Sequence, residues 1–71
     1  MAKIIKHKEF TLINDEHYKF WNITEYKNGE IKVEYGKIGT RGQSKLYPAF
    51  SKDFDKLIYS KLRKGYIKEE E

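Results

Sequence analysis

The segment Tyr26-Lys27-Asn28-Gly29-Glu30, flanked on both sides by alternating apolar residues, constrains the fold of this chain more than any other feature. Asn-Gly between two such runs signals a β-hairpin, because both residues tolerate the left-handed backbone of a tight reversal. Loop length then decides which residues share a face. A two-residue Asn28-Gly29 loop pairs Tyr26 with Ile31 and puts Trp21 and Ile23 on the opposite face from Ile31, Val33 and Tyr35. A three-residue loop, Lys27-Asn28-Gly29 with Gly29 left-handed, pairs Tyr26 with Glu30 and gathers all five apolar residues on one face. The second register is the expected one. It leaves Asn22, Thr24, Tyr26, Glu30, Lys32 and Glu34 for water to cover.

The rest of the chain supplies elements to pack on that face. Ile4 to Ile13 alternates loosely and reads as a first strand, closed by the turn residues Asn14-Asp15-Glu16. Gly39-Thr40-Arg41-Gly42 is a tight loop, and Gln43 to Phe50 reads as a further strand that Pro48 confines to an edge or an end. From Ser51 the period changes. Phe54, Leu57, Ile58 and Leu62 make one helical stripe, with Ser51 as the expected N-cap, Asp53 and Asp55 in the first turn, Lys61, Arg63 and Lys64 in the last, and Gly65 as the stop. Tyr66 and Ile67 follow as a short extended piece. The expected fold is α+β: a small antiparallel sheet of about four strands with one C-terminal helix packed on one face.

Composition limits what such a domain does. With 71 residues, one Pro and no Cys, the chain makes one small domain over residues 1–71, with a core spanning 4–68 and an acidic tip at 69–71. It stands on packing alone, without disulfides or thiolate-bound metal. The start Met1-Ala2-Lys3-Ile4-Ile5-Lys6-His7-Lys8 breaks off too soon for a signal peptide, and no apolar run reaches membrane length, so a cytoplasmic location away from membranes is expected. Fifteen basic residues oppose eleven acidic ones, and with Glu69, Glu70 and Glu71 set aside the remaining eight acids leave residues 1–68 at +7. A body so basic prefers polyanions.

No catalytic constellation is present. His7 and His17 are the only imidazoles, and Asp53 and Asp55 lie two apart on a helix, so they point in different directions. No nucleophile elbow surrounds a serine. No metal or cofactor site is expected. The run Gly36-Lys37-Ile38-Gly39-Thr40-Arg41-Gly42-Gln43-Ser44-Lys45 differs from a Walker loop, which needs Gly-Lys followed at once by Ser or Thr and then a helix. Its three glycines, spaced by three, are nevertheless expected to expose backbone N–H groups among Lys37, Arg41 and Lys45, which is an anion cradle. The alternative is that they serve only a bulge and a turn beside solvated cations.

At this run the sequence resembles the WGR domain family. Tyr35-Gly36-Lys37-Ile38-Gly39-Thr40-Arg41-Gly42-Gln43 is similar to the family signature, in which Trp-Gly-Arg precedes a small apolar residue, Gly, a short loop and Gly-Gln. Tyr18-Lys19-Phe20-Trp21-Asn22-Ile23 resembles the strand before the family's hairpin, and Ser44-Lys45 and Lys64-Gly65-Tyr66 resemble the end of the domain. Tyr35 stands for Trp, and Lys37 for Arg. WGR domains occur in DNA-dependent poly(ADP-ribose) polymerases, where they bind DNA beside a break, and in bacterial proteins. The resemblance implies that Tyr35 packs against a sugar near a 5′ end, that Lys37 contacts the backbone or a neighbouring domain, and that His17 stands where the family places a phosphate-contacting polar residue. Tyr offers less ring area than Trp, and Lys a point charge where Arg offers a planar fork.

The sequence therefore predicts a non-catalytic nucleic-acid-binding module that uses Tyr35, Gly36, Lys37, Arg41, Gln43, Lys45 and His17 on DNA, with RNA as an alternative target. It grips the sugar-phosphate backbone or a 5′-phosphorylated end without reading sequence, since the single helix spends its apolar stripe on the sheet. The exposed helix side, with Lys52, Lys56, Lys61 and Arg63, is expected to be a solvated face. A protein-interaction module docking on an acidic partner is the competing expectation.

Overall fold

The computed structural model describes residues 3–68. The acidic tip at 69–71 lies outside them. Five antiparallel strands form one open sheet: β1 (Ile4–Ile13), β2 (Tyr18–Tyr26), β3 (Ile31–Lys37), β4 (Gln43–Tyr47) and β5 (Ile67–Lys68), in the order β4-β3-β2-β1-β5. The helix α1 (Phe54–Arg63) lies on one face. The fold is the expected α+β arrangement, with the extended piece after the helix added as β5 beside Phe10 and Thr11.

The β2–β3 hairpin has the register that gathers the apolar residues. Tyr26 N–H donates to the Glu30 carbonyl at 2.9 Å, Gly29 has φ 93°, and Trp21, Ile23 and Glu25 stand opposite Tyr35, Val33 and Ile31. Phe10 of β1 pairs with Trp21, so it joins the same face, its ring centroid 5.7 Å from that of Trp21. The core is Phe10, Trp21, Ile23, Ile31, Val33, Phe54 and Tyr66, with Leu12, Tyr47, Leu57 and Ile58 around it. The loose alternation at the start of β1 has a cause: the register slips between Ile4 and Lys6, and Ile4 and Ile5 are both exposed. Thr24 departs from expectation. It is 5% exposed, because His7 lies directly opposite on β1 and its Nδ1 is 2.8 Å from the Thr24 hydroxyl.

Two boundaries after the sheet are corrected. β4 ends at Tyr47 and not at Phe50, since Pro48 has no N–H for a ladder; Ser51 N–H and Oγ instead both donate to the Pro48 carbonyl, at 3.2 and 2.7 Å. That turn occupies Ser51, so the helix N-cap is Asp53, whose carboxylate accepts from Lys56 N–H at 3.1 Å. Gly65 is the stop, with φ 103°. Its N–H donates to Leu62 O and that of Tyr66 to Lys61 O, the paired bonds of a Schellman ending. They fold Tyr66 back under the helix into the core.

The helix stripe is also rotated from the expected one. At roughly 100° per residue, Leu62 stands about 80° from Phe54, whereas position 61 comes back to within about 20° of it. Leu62 is accordingly 45% exposed, and Lys61 is half-buried against the sheet.

Candidate nucleic-acid interface

The candidate residues are positioned by the β3–β4 connection. Tyr35 stands opposite Gln43, and Lys45 opposite Val33, so these side chains share the face that carries α1. Tyr35 Oη donates to Gln43 Oε1 at 3.3 Å. Tyr35 ends the row begun by Ile31 and Val33, and at 37% exposed it closes the core while its ring stays open to solvent.

The two outer glycines of the signature are required by close approach. A Cβ on Gly36 would come within 2.6 Å of the Gly42 Cα; one on Gly42, where φ is 69°, would lie 2.2 Å from the Tyr35 carbonyl oxygen and 2.8 Å from the Phe20 ring. No side chain fits at either place. The expected exposure of amides is correspondingly narrower. Gly36 lies within the β2–β3 ladder opposite Phe20, Ile38 N–H donates to Tyr18 O at 3.0 Å, and both the N–H and the hydroxyl of Thr40 donate to Lys37 O, at 3.1 and 2.6 Å.

The cations divide between two hollows. Lys37 lines a shallow recess with Asn14, Asp15, Glu16, His17 and Tyr18, in which the His17 backbone N–H donates to Asn14 Oδ1 at 2.8 Å. Lys45 and Tyr35 line a different groove of about 460 Å³ between α1 and the sheet. Arg41 is exposed in the loop and lines neither.

Lys19, which the sequence reading did not single out, bridges these hollows. It stands directly opposite Lys37 in the β2–β3 ladder and also lines the groove. Among the described residues, no carboxylate lies within 4 Å of Lys19, Lys37, Arg41, Lys45 or Lys61; the ion pairs there are Lys6 with Glu25 and His7 with Glu9. Among the described residues these positive charges therefore have no counterion at contact distance.

The groove continues the row. Lys61, expected on the solvated side of the helix, instead reaches over the sheet, its Nζ 5.5 Å from the Trp21 ring centroid and 5.7 Å from that of Tyr66. Lys19 Nζ is 5.7 Å from the same Tyr66 centroid, and Lys45 Nζ is 5.1 Å from that of Tyr47. Burial, and after it the charges of Lys64 and Lys19, hold the Lys61 amine below the usual lysine range. Both missed residues had a signal in the sequence. Lys61 falls seven positions after Phe54, on the apolar stripe, and Lys19 two before Trp21, on its strand face.

Among the described residues, no helix is long and apolar enough to cross a membrane. The WGR domain profile matches residues 6–71. The chain is 31% identical over 67 residues to Protein YehF of Escherichia coli (strain K12), an alignment covering 87% of this chain and 24% of that protein. A crystal structure of a Bacteroides fragilis protein, solved as a structural-genomics target, superposes with a TM-score of 0.75 at 31% identity, over 92% of this chain and 20% of that one. The chain thus spans about a quarter or less of the length of these two relatives.

Proposed function

Because the chain belongs to the WGR domain family, we propose that it is a non-catalytic module that binds the sugar-phosphate backbone of DNA, or a 5′-phosphorylated end, without reading sequence. The whole of residues 1–71 serves as that single module. Tyr35 lies against a sugar, and Lys37, Arg41, Lys45 and His17 face phosphates. Gly36 and Gln43 hold the site in shape, the first by its close approach to Gly42 and the second by accepting from Tyr35 Oη.

The observation that carries this reading is the Lys19–Lys37 pair. Two lysines paired across adjacent strands, with no carboxylate within 4 Å among the described residues, concentrate positive charge that an approaching polyanion neutralises. Tyr35 supports it from the other side, since an aromatic ring left open beside cations offers a sugar a flat surface while the charges hold its phosphates. A lysine at position 37 grips as a point charge, so preference for one end geometry is weaker than an arginine fork would give.

The test is fluorescence anisotropy on a blunt duplex with and without a 5′-phosphate. Binding of both duplexes, weakened by Lys37→Ala and Arg41→Ala while circular dichroism melts stay in place, supports the reading. Equal affinity of the Lys37→Ala variant and the parent contradicts it. Capture of an acidic protein, with no nucleic-acid binding at roughly 50 mM salt, would assign the surface to the competing class.

A further inference from the structure

We infer that the groove between α1 and the sheet is a track for one unpaired nucleic-acid strand, so that this domain holds a single-stranded tail running off a duplex in addition to the duplex itself. The inference rests on the nucleic-acid reading above and extends it from Tyr35 and Lys45 along the groove they line to Lys19 and Lys61.

The dimensions favour one strand. The folded domain measures 39 × 24 × 22 Å, and the groove, about 460 Å³, lies between one helix and three strands. A duplex is nearly as wide as the domain and cannot enter a cleft of that volume, whereas one sugar-phosphate strand can. The charge favours a polyanion. Lys19, Lys45 and Lys61 line the groove, no Asp or Glu does, and burial, followed by the charges of Lys64 and Lys19, already weakens the proton affinity of Lys61. Phosphates threaded between these ammonium groups relieve that repulsion.

The geometry also says how the strand is held. Lysine ammonium groups sit over the rings of Trp21, Tyr66 and Tyr47, and Trp21 and Tyr66 are buried, which leaves Tyr35 as the open ring of the groove. One base or sugar stacks on Tyr35 at the mouth, and phosphate contacts to the three lysines carry the rest, so the track tolerates any base sequence. Lys19 stands opposite Lys37 of the adjoining recess, where Asp15 and Glu16 also form the wall, so the cationic track begins at Lys19 and runs into the groove.

The experiment compares a blunt duplex, the same duplex carrying an unpaired tail of about six thymidines, and a free thymidine oligonucleotide of that length, each across a salt series. The tailed duplex is expected to bind about tenfold tighter than the blunt one, with a salt slope steeper by about 2, the contribution of three single-strand phosphate contacts. Lys61→Gln should bring the ratio of tailed to blunt affinity close to one. Lys19→Gln, on a strand and not on the helix, should lower the same ratio if Lys61→Gln fails to fold. Equal binding of tailed and blunt duplex by the parent overturns the inference, as does a ratio untouched in folded variants. Blunt binding that depends on Lys37 without any gain from a tail removes the groove and leaves the proposed function standing. A free oligonucleotide bound through Lys61, with no affinity for blunt duplex, supports the groove and removes the duplex reading.

Discussion

The chain turns back on itself at two glycine-bearing connections, after β2 and after β3, and the two settle their polar groups in opposite ways. The Lys27-Asn28-Gly29 loop is closed on itself. Gly29 N–H donates to Tyr26 O at 2.9 Å, Asn28 Oδ1 accepts from Glu30 N–H at 3.0 Å, and Asn28 Nδ2 donates to the Glu30 carboxylate at 2.8 Å. The 38–42 loop uses its amides inwardly too, but Arg41 within it and Lys37 and Lys45 beside it have no acid within 4 Å among the described residues. One turn sets register and is finished. The other sets register and carries Lys37, Arg41 and Lys45 in a run, 36–45, that holds no acid, whereas the first sets Lys27 beside Glu30.

Alanine in place of each glycine is the sharpest way to break this contrast. Gly42→Ala has the largest expected effect, at least about 3 kcal/mol or outright failure to fold, because its Cβ meets the Tyr35 backbone and the Phe20 ring in a left-handed conformation. Gly29→Ala is expected to cost about 1–2 kcal/mol: its φ is also positive, but the ring it meets, Phe50, is 88% exposed and free to swing aside. Gly39→Ala meets nothing within 4 Å and pays only for its backbone, about 1 kcal/mol. Urea melts followed by circular dichroism give the order, and a Gly42 variant no less stable than the Gly39 variant would undo the account of this crossing.

Removing charge should act on binding and leave the fold alone. Lys37→Ala and Arg41→Ala are each expected to weaken duplex binding by about three- to tenfold with an unchanged melting temperature. Tyr35→Ala lowers both, since that ring also ends the core row. Smaller again is Asp53→Ala, expected to cost about 1 kcal/mol through loss of the N-cap while leaving nucleic-acid affinity intact.

The smallest effect concerns Lys61. Its folded pKa lies below its unfolded value, so above the folded pKa the unfolded chain binds more protons and stability from this group rises with pH until the ordinary lysine range is passed. Lys61→Met keeps the stem packed on Trp21 and Tyr66 and removes the crowded charge. It should raise the melting temperature slightly near neutral pH and flatten that alkaline rise.

Much of this fold was legible in the sequence because period and turn chemistry agreed. The Lys27-Asn28-Gly29 register, the span of β1 and the Gly65 stop each follow from local rules that tertiary packing reinforces. The failures were equally local. Ser51 and Asp53 are both good caps, and only the turn that engages Ser51 with Pro48 decides between them. Lys61 was assigned to solvent because it is charged, although its spacing put it on the buried stripe, where a long stem packs and the ammonium reaches out. Of the candidate interface, the family signature offers Tyr35 and Lys37 and the glycine-spaced run offers Arg41 and Lys45, while Lys19 stands out only through its place opposite Lys37.

The central claim is that unpaired cations around the β3–β4 connection hold the phosphates of a nucleic acid. It is tested most directly by the salt dependence of anisotropy on a 5′-phosphorylated blunt duplex, measured for the parent and for Lys37→Ala. Contact with three to four phosphates predicts that the logarithm of affinity falls with the logarithm of salt at a slope near about −3, becoming shallower by about 1 in the variant. A flat slope, no binding at roughly 50 mM salt, or identical slopes for the two proteins would contradict it.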